Sequence, residues 1–177
     1  MSFCNTSKSL FACAMLAALL LAPGMAAAHE ANPTSQSWRI TNDTFIGDHW
    51  NIGELEMYSD AACSQRESDI RQVLYSYWYD HSPQEVVHDG VCNTQGHANP
   101  STWAGLDQRV GQMPRGSWLG FAFGEPTTIR CVRICQGRDA TQWVPSATLQ
   151  YYDGRDWRSV GQLTFSAGES TSIVAPY

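Results

Sequence analysis

The sequence has a single lysine, Lys8, in the first few residues of the chain. Beyond residue 28 every positive charge is an arginine, and ten arginines stand against 17 acidic residues, a net charge of −7. Proteins that bind nucleic acid or anionic lipid without sequence or headgroup selectivity need a positive field. The composition therefore predicts no nucleic-acid partner and makes a phospholipid surface a weak candidate.

Long apolar runs are also scarce, and the one that exists, residues 10–22, is too short to span a bilayer. It follows Lys8 and leads to small residues ending at Ala28, the pattern of a secretory signal peptide over residues 1–28. No later run could form a membrane span. We expect a secreted protein, extracellular or, in a bacterium, periplasmic or at the cell surface. Residues 29–36 are polar and predict a flexible leader before a single domain over residues 37–177.

Motifs of the common enzyme classes are missing. The chain contains no G-x-S-x-G, no glycine-rich phosphate loop and no H-E-x-x-H. The histidines at positions 29, 49, 88 and 97 have no spacing that indicates catalysis. A secreted hydrolase would need two acids or a nucleophile–base pair in one cleft, and no pattern points to either. We therefore predict no catalytic residue and a protein that is not an enzyme.

Four of the six cysteines remain after the predicted signal peptide: Cys63, Cys92, Cys131 and Cys135. An even number in an exported chain predicts two disulfides, and the Cys131-x-x-x-Cys135 spacing is not that of a usual zinc site. If Cys131 and Cys135 lie on one strand, their Cα atoms are about 13 Å apart. A disulfide needs less than about 7 Å. They should therefore pair with Cys63 and Cys92, in either of the two combinations.

Short alternating segments separated by glycine and proline predict an all-β sandwich or barrel. The expected strands are residues 50–58, 118–124, 127–136, 147–152 and 155–163. Asp153-Gly154 is a favoured tight-turn dipeptide and predicts a hairpin between the last two. In residues 50–58, Leu55 and Met57 share one face, and Glu54 need not be buried on the other. The one expected helix is short and covers residues 65–74.

Several motifs follow one another in a specific order: HDG, NPSTWAG, WLGFAFG, IRCVRICQGR and QWVPSATLQYYDGRDW. Together they resemble the coagulation factor 5/8 type C, or discoidin, domain family. The matching stretch, from Tyr75 to Leu163, covers about half of the chain. The resemblance implies a jelly-roll-like antiparallel β-sandwich of about eight strands with a galactose-binding-like fold.

The first strands of the chain resemble the last strands of that family. WRI (38–40) and WNIGELEMY (50–58) look like the family's C-terminal pair but here come first. A circular permutation explains this order, because the termini of such a sandwich lie close together. The alternative is a generic pair of strands.

The family resemblance implies a binding module that uses loops at one end of the sandwich. Sugars stack on aromatic rings and hydrogen-bond to Asp, Asn, His or Arg. The loop after Tyr75 and Tyr77, which we expect to be structural, supplies the first candidates: Trp78, Tyr79, Asp80 and His81. A second patch lies in the stretch Arg138, Asp139, Gln142 and Trp143, of which Arg138 and Trp143 are the candidate contacts. Residues 109–115 carry two arginines and are a weaker third candidate.

A glycan or glycoconjugate is the expected partner, bound as by a lectin. The alternative is a structural or adhesion protein that binds another protein at a cell surface or matrix through the same loops, over a broader apolar patch.

A calcium site is the last expectation that the resemblance implies. Residue by residue, Asp89 and Thr102 match the family's ligands, Asn99 offers a carbonyl, and Glu54 matches a Glu of the displaced last strand. Ca²⁺ takes six to eight oxygen ligands of these kinds. Residues 91–98, which contain Cys92, are inserted in this loop, so a disulfide there is the alternative clamp.

Overall fold

The computed structural model describes residues 33–77, 85–94, 103–105 and 115–174. Nine strands form nearly all of the regular structure in these ranges. Their bounds are β1 Ser35–Asn42, β2 Trp50–Tyr58, β3 Ile70–Tyr75, β4 Trp103–Gly105, β5 Trp118–Thr127, β6 Cys131–Gln136, β7 Ser146–Tyr152, β8 Trp157–Thr164 and β9 Gly168–Ile173. The one helical element there is a 3₁₀ turn, Glu85–His88, between β3 and β4. No helix in these ranges has the length and apolar character needed to cross a membrane.

The strands form two antiparallel sheets, which confirms the all-β sandwich. The five-stranded sheet has the order β3-β5-β1-β7-β8, and the four-stranded sheet has the order β4-β2-β6-β9. The β7–β8 hairpin turns at Asp153-Gly154 as predicted, with Gly154 at φ 95° in the left-handed region. The Asp153 carboxylate accepts the N–H groups of Arg155 and Asp156, each at 2.8 Å, which fixes the turn.

Alternation along the strands builds the core between the sheets. Leu119, Phe121 and Phe123 face inward from β5, and Trp38 and Ile40 face inward from β1. The four-stranded sheet contributes further apolar side chains to the same core: Leu55, Met57, Val132 and Ile134. The inward face predicted for residues 50–58 is therefore confirmed. The strand predicted over residues 127–136 is shorter, because Thr127 ends β5 and β6 begins at Cys131.

The helix predicted over residues 65–74 is wrong. The second half of that segment is β3, an edge strand in which Ile70 pairs with Phe123 and Tyr75 with Leu119 of β5. Ile70, Val73 and Leu74 have the i, i+3, i+4 spacing of a helix, but β3 presents Val73 and Tyr75 to the core in the alternation of a strand. β1 also begins at Ser35, so the last two residues of the predicted leader belong to the sheet.

The two N-terminal strands are central rather than peripheral. β1 lies between β5 and β7, and β2 lies between β4 and β6. The two ends of the described chain meet at the same turn: Thr34 Oγ1 is 3.2 Å from Thr128 Oγ1, and the Val174 N–H donates to the Arg130 carbonyl at 3.0 Å. Adjacent ends are what a permuted order requires.

β2 is buried along its whole length because both of its faces are covered. The inner face meets the core, and residues 91–94 cross the outer face near the strand's centre. A Cβ at Gly53 would overlap the backbone of Asn93. Gly53 is thus required by a close approach of two backbones, and it coincides with the irregular register between Ile52 and Glu54.

Candidate functional site

One end of the sandwich gathers the segments that the sequence pointed to. At this end, called here the loop end, β1, β3 and β6 finish and β2, β5 and β7 begin. Backbone hydrogen bonds tie the connections together: Asn51 N–H to the Gln142 carbonyl at 3.1 Å, and Gly137 N–H to the Asn51 carbonyl at 3.0 Å. The start of β2, where the β1–β2 connection ends, is therefore held beside the β6–β7 connection.

The predicted loop Trp78, Tyr79, Asp80 and His81 lies outside the described residues. The chain that leads into it is at the loop end, because Ser76 N–H donates to the Trp118 carbonyl at 3.0 Å and Trp118 N–H donates to Ser76 Oγ at 2.9 Å. Tyr75 and Tyr77 pack against the core as expected. The weaker candidate, residues 109–115, is described only at Arg115, which is also next to this end through the Gly116 N–H bond to Asn42 at 3.0 Å.

The second predicted patch is at the loop end, and its members face different ways. Arg138 is exposed and forms no ion pair with Asp139. Asp139 instead accepts Thr141 N–H at 3.0 Å and Thr141 Oγ1 at 2.8 Å, and these bonds lower the pKa of its carboxyl. Trp143 is partly exposed, next to the fully buried Val144. Arg138 and Trp143 are thus both accessible to a ligand.

The side chain of Gln142 points toward the β1–β2 connection, where it contacts residues that the sequence analysis did not predict. Its Nε2 donates to Asp48 Oδ2 at 3.4 Å, and the other oxygen of Asp48 is bonded to His49 Nδ1. Burial alone would raise the pKa of Asp48, but the hydrogen bonds from His49 and Gln142 outweigh it and the pKa falls below its ordinary value. In the sequence, the adjacent acid and histidine at Asp48-His49, just before β2, are the only sign of this group. Nothing in the sequence shows that Gln142 lies beside them.

Asn51 is the most unusual polar residue at this end. Its side chain is fully buried, and neither its amide oxygen nor its amide nitrogen has a hydrogen-bond partner in the part of the chain that the structure describes. A buried amide without partners costs about 1–3 kcal/mol. It is the kind of group that a ligand hydroxyl stabilises when it enters such a site.

A second group of side chains, also missed, lies on the outer surface of the five-stranded sheet. The Arg39 guanidinium carbon is 4.8 Å from the ring centroid of Trp118 and 4.1 Å from that of Trp157. These three residues, with Gln150 and Tyr152, are called here the indole face. They come from four strands, so only the register of the sheet reveals that they are neighbours.

The residues predicted to hold calcium are only partly described, since Asn99 and Thr102 lie outside the described ranges. Glu54 does lie beside the Asp89 loop, because Gly90 N–H donates to Glu54 Oε2 at 3.0 Å. Its other oxygen accepts Arg66 Nη2 at 2.8 Å, and Asp89 Oδ1 accepts Val91 N–H at 2.8 Å.

N–H donors thus already occupy both oxygens of Glu54. In the described ranges, no cluster of three or more His, Cys, Asp or Glu side chains is arranged to hold a metal. The described half of the predicted set, Glu54 and Asp89, is therefore bound by N–H donors, and the calcium site stays a prediction.

Glu54 and its neighbour Glu56 are more buried than the sequence suggested. Burial raises the pKa of Glu54 to about 7, against the opposing effects of the Gly90 N–H and the Arg66 guanidinium. Arg66 Nη1 also binds Glu56 Oε1 at 3.0 Å, and Arg133 Nη1 binds Glu56 Oε2 at 3.0 Å. We call Glu54, Glu56, Arg66 and Arg133 the charged clamp.

The two predicted disulfides are present and resolve the open pairing. Cys63 joins Cys131 with the Cα atoms 5.5 Å apart, and Cys92 joins Cys135 at 5.4 Å. Both therefore anchor one strand, β6, to the segments that cover the outer surface of the four-stranded sheet. The disulfide of Cys92 secures the segment that contains Asp89.

Comparisons of the chain with protein-family models, with curated proteins and with solved structures give no significant match.

Proposed function

We propose that this protein is a secreted, non-catalytic module that binds a surface glycan through the loop end. The observation that carries the proposal is the bond between Gln142 and Asp48, which joins two connections into one polar surface beside the partly exposed Trp143. An indole ring supplies the stacking surface, Asp48 supplies an acceptor and Arg138 supplies donors for sugar hydroxyls.

Three further observations support a glycan at this end. The amide of Asn51, which has no hydrogen-bond partner among the described residues, is buried next to the same connections. The segment leading to the aromatic loop at residues 78–81 leaves the sheet here as well. The motifs that resemble the discoidin family imply ligand binding at one end of the sandwich, the geometry that this surface provides.

Export has its own support. Two disulfides are characteristic of proteins from an oxidising compartment, and residues 1–28 have the pattern of a cleaved signal. Intact mass measurement of the exported protein should show an N-terminus at His29. A chain that keeps residues 1–28, or that is retained in the cytoplasm, contradicts export.

The test of binding is a glycan array with the mature protein, followed by titration of the best ligand. Trp143→Ala should lower affinity about fivefold or more, since a stacked ring contributes on the order of 1 kcal/mol. Arg138→Ala should weaken binding, and Arg130→Ala, a matched change of an exposed arginine at the opposite end, should not. Unaltered melting temperatures establish that the variants are folded.

Wild-type affinity in both loop-end variants contradicts the proposed site. An array without any bound glycan, together with saturable binding to a surface protein, favours the adhesion alternative.

A further inference from the structure

The outer surface of the five-stranded sheet carries a row of side chains set by strand register. Arg39 of β1 is paired on one side with Gly120 of β5 and on the other with Gln150 of β7, which in turn pairs with Ser159 of β8. Gly120 has no side chain, and a Cβ there would lie 2.7 Å from Arg39 Cβ, so the glycine is required by the close approach of Arg39. Trp118 lies one row nearer the loop end, and Trp157 lies one row farther from it, opposite Tyr152.

The aromatic rings are close enough to form one continuous surface. The centroids of Trp118 and Trp157 are 6.2 Å apart with a tilt of 35°, and those of Tyr152 and Trp157 are 5.5 Å apart. Both indoles are partly exposed, and Tyr152 is 39% exposed. The rings therefore remain accessible although they pack against one another.

Arg39 is fixed in this surface without an acidic partner among the described residues. Its Nε donates to Gln150 Oε1 at 2.8 Å, and the same oxygen also accepts the hydroxyl of Thr41 at 3.0 Å. Burial lowers the pKa of Arg39 to about 10, so the guanidinium is still charged at neutral pH. Its two terminal nitrogens have no acceptor in the part of the chain that the structure describes, which leaves four N–H donors available.

Arg39 differs from the other described arginines because it is half-buried and has no carboxylate partner among the described residues. Arg115, Arg130, Arg138 and Arg155 also have no ion pair there, but they are exposed to solvent. In the described ranges each of the following arginines binds at least one carboxylate: Arg66, Arg71, Arg133 and Arg158. In a chain with 17 acidic residues, a half-buried cation held in place without one is a ready partner for an external anion.

We propose that the indole face binds an acidic saccharide whose sugar ring carries a carboxylate. The indoles accept the apolar C–H faces of the sugar, and the guanidinium fork matches the planar carboxylate in a bidentate pair. Gln150 and Ser159 offer side-chain groups to the hydroxyls beside it. This site lies on the side of the sandwich rather than at its tip and does not rest on the loop-end site.

A saccharide suits this surface better than a protein does. A stable protein interface covers about 800 Å² on each partner, and its core of aromatic and apolar side chains is fully buried inside a polar rim. Of the four large apolar side chains that are exposed in the described ranges, Phe45, Val91, Tyr152 and Ile173, only Tyr152 is part of the indole face. The surface instead places aromatic rings beside a cation and an amide, and these groups can stack on a sugar ring and hydrogen-bond to its hydroxyls.

The test titrates the mature protein with three probes: an oligouronate, the same oligosaccharide with its carboxylates methyl-esterified, and a sulfated oligosaccharide. The wild type should bind the oligouronate at least tenfold more tightly than the ester. Arg39→Gln should abolish that preference, while the exposed control Arg130→Gln keeps it. Trp157→Ala should weaken binding of the oligouronate about fivefold.

A second measurement does not depend on the variants folding. In NMR spectra of the wild type, the oligouronate should shift the indole N–H signals of Trp118 and Trp157 and leave that of the buried Trp50 in place. Unshifted signals, equal affinity for acid and ester, or stronger binding of the sulfated probe would each overturn the proposal. Loss of binding in Trp143→Ala with wild-type affinity in Arg39→Gln would also overturn it and assign the acidic ligand to the loop end.

Discussion

Arg66 holds Glu54 on the outer surface of the four-stranded sheet, with Nη2 2.8 Å from Oε1. The Glu54 side chain is 6% exposed and that of Arg66 32%, so the pair is open to solvent on one side only. Arg66 also donates to the His88 carbonyl at 3.2 Å and binds Glu56. One guanidinium therefore ties β2, the 3₁₀ turn and the segment after β2 together.

Removal of Arg66 should destabilise the protein much more than removal of a surface arginine. Arg66→Ala leaves two buried carboxylates short of a cation, and we expect a loss of about 2–3 kcal/mol in the free energy of unfolding. The control is Arg71→Ala, whose pair with Asp69 is exposed on both sides and should contribute less than about 1 kcal/mol. Urea unfolding measures the free energy of unfolding of both variants. Equal losses would show that the ion pairs of the charged clamp contribute no more than an exposed surface pair.

Adding a chelator tests whether calcium also binds Glu54 and stabilises the fold. Since N–H donors occupy both oxygens of Glu54, we expect the melting temperature to be unchanged by a calcium chelator. A hundredfold excess of a bound metal over its dissociation constant would add about 2.7 kcal/mol, which is several degrees. A drop of that size on chelation would show that calcium is bound and that Asn99 and Thr102 complete its site.

The raised pKa of Glu54 predicts a pH dependence of stability. An acid whose pKa is about 7 when folded and near 4.5 when unfolded holds its proton more tightly in the folded state. Its contribution to stability is therefore complete below about pH 4.5 and is lost as the pH rises through 7. One such group adds a slope of at most about 1.4 kcal/mol per pH unit.

The measurement is the free energy of unfolding of wild type and Glu54→Gln between pH 5 and pH 8. The variant should show a flatter profile, and Glu125→Gln, an exposed control, should follow the wild type. Parallel profiles for wild type and Glu54→Gln would contradict the assignment.

The sequence led to β2, its inward face and the presence of two disulfides, but not to the burial of Glu54. Alternation within residues 50–58 distinguishes the two faces of a strand, and it cannot reveal that a distant segment covers the outer one. The disulfide pairing needed the same information. Cys131 lies opposite Tyr58, where the chain leaves β2 toward Cys63, and Cys135 lies opposite Glu54, which contacts Gly90 close to Cys92.

Of the candidate sites, the loop end could be predicted in part from the sequence, and the indole face could not. Arg138 and Trp143 could be predicted as neighbours because they belong to the same short connection of the chain, between β6 and β7. Arg39, Trp118 and Trp157 belong to three strands that only the strand order β5-β1-β7-β8 brings together, and no local pattern encodes that order. Asp48 and Gln142 are likewise 94 residues apart in sequence.

Non-reducing peptide mapping should recover Cys63–Cys131 and Cys92–Cys135. The disulfides span 68 and 43 residues, and the chain-entropy relation gives a loss of about 4 kcal/mol for removing either. Cys92→Ser with Cys135→Ser should therefore destabilise the protein about as much as Cys63→Ser with Cys131→Ser. A Cys63–Cys135 peptide would contradict the register of β2 with β6.

Gly53→Ala tests the close approach over β2. A methyl group there would overlap the Asn93 backbone, so the segment must move, and we expect a loss of about 1–3 kcal/mol. Gly47→Ala is the matched control, because a methyl group at that exposed position meets no atom within 4 Å. A Gly53 variant as stable as the Gly47 variant would show that residues 91–94 do not lie against the strand.

The meeting of Thr34 and Val174 at residues 128–130 has a practical consequence for presentation. That turn joins β5 to β6 at the end of the sandwich farthest from the loop end. A biosensor chip or particle coupled beside either residue would hold the long axis of the sandwich upright, with the loop end pointing into solution and the indole face along its side. A compact ligand could then approach the loop end from solution, whereas a long polymer could lie along the indole face. Protein immobilised in this way would leave both proposed sites accessible.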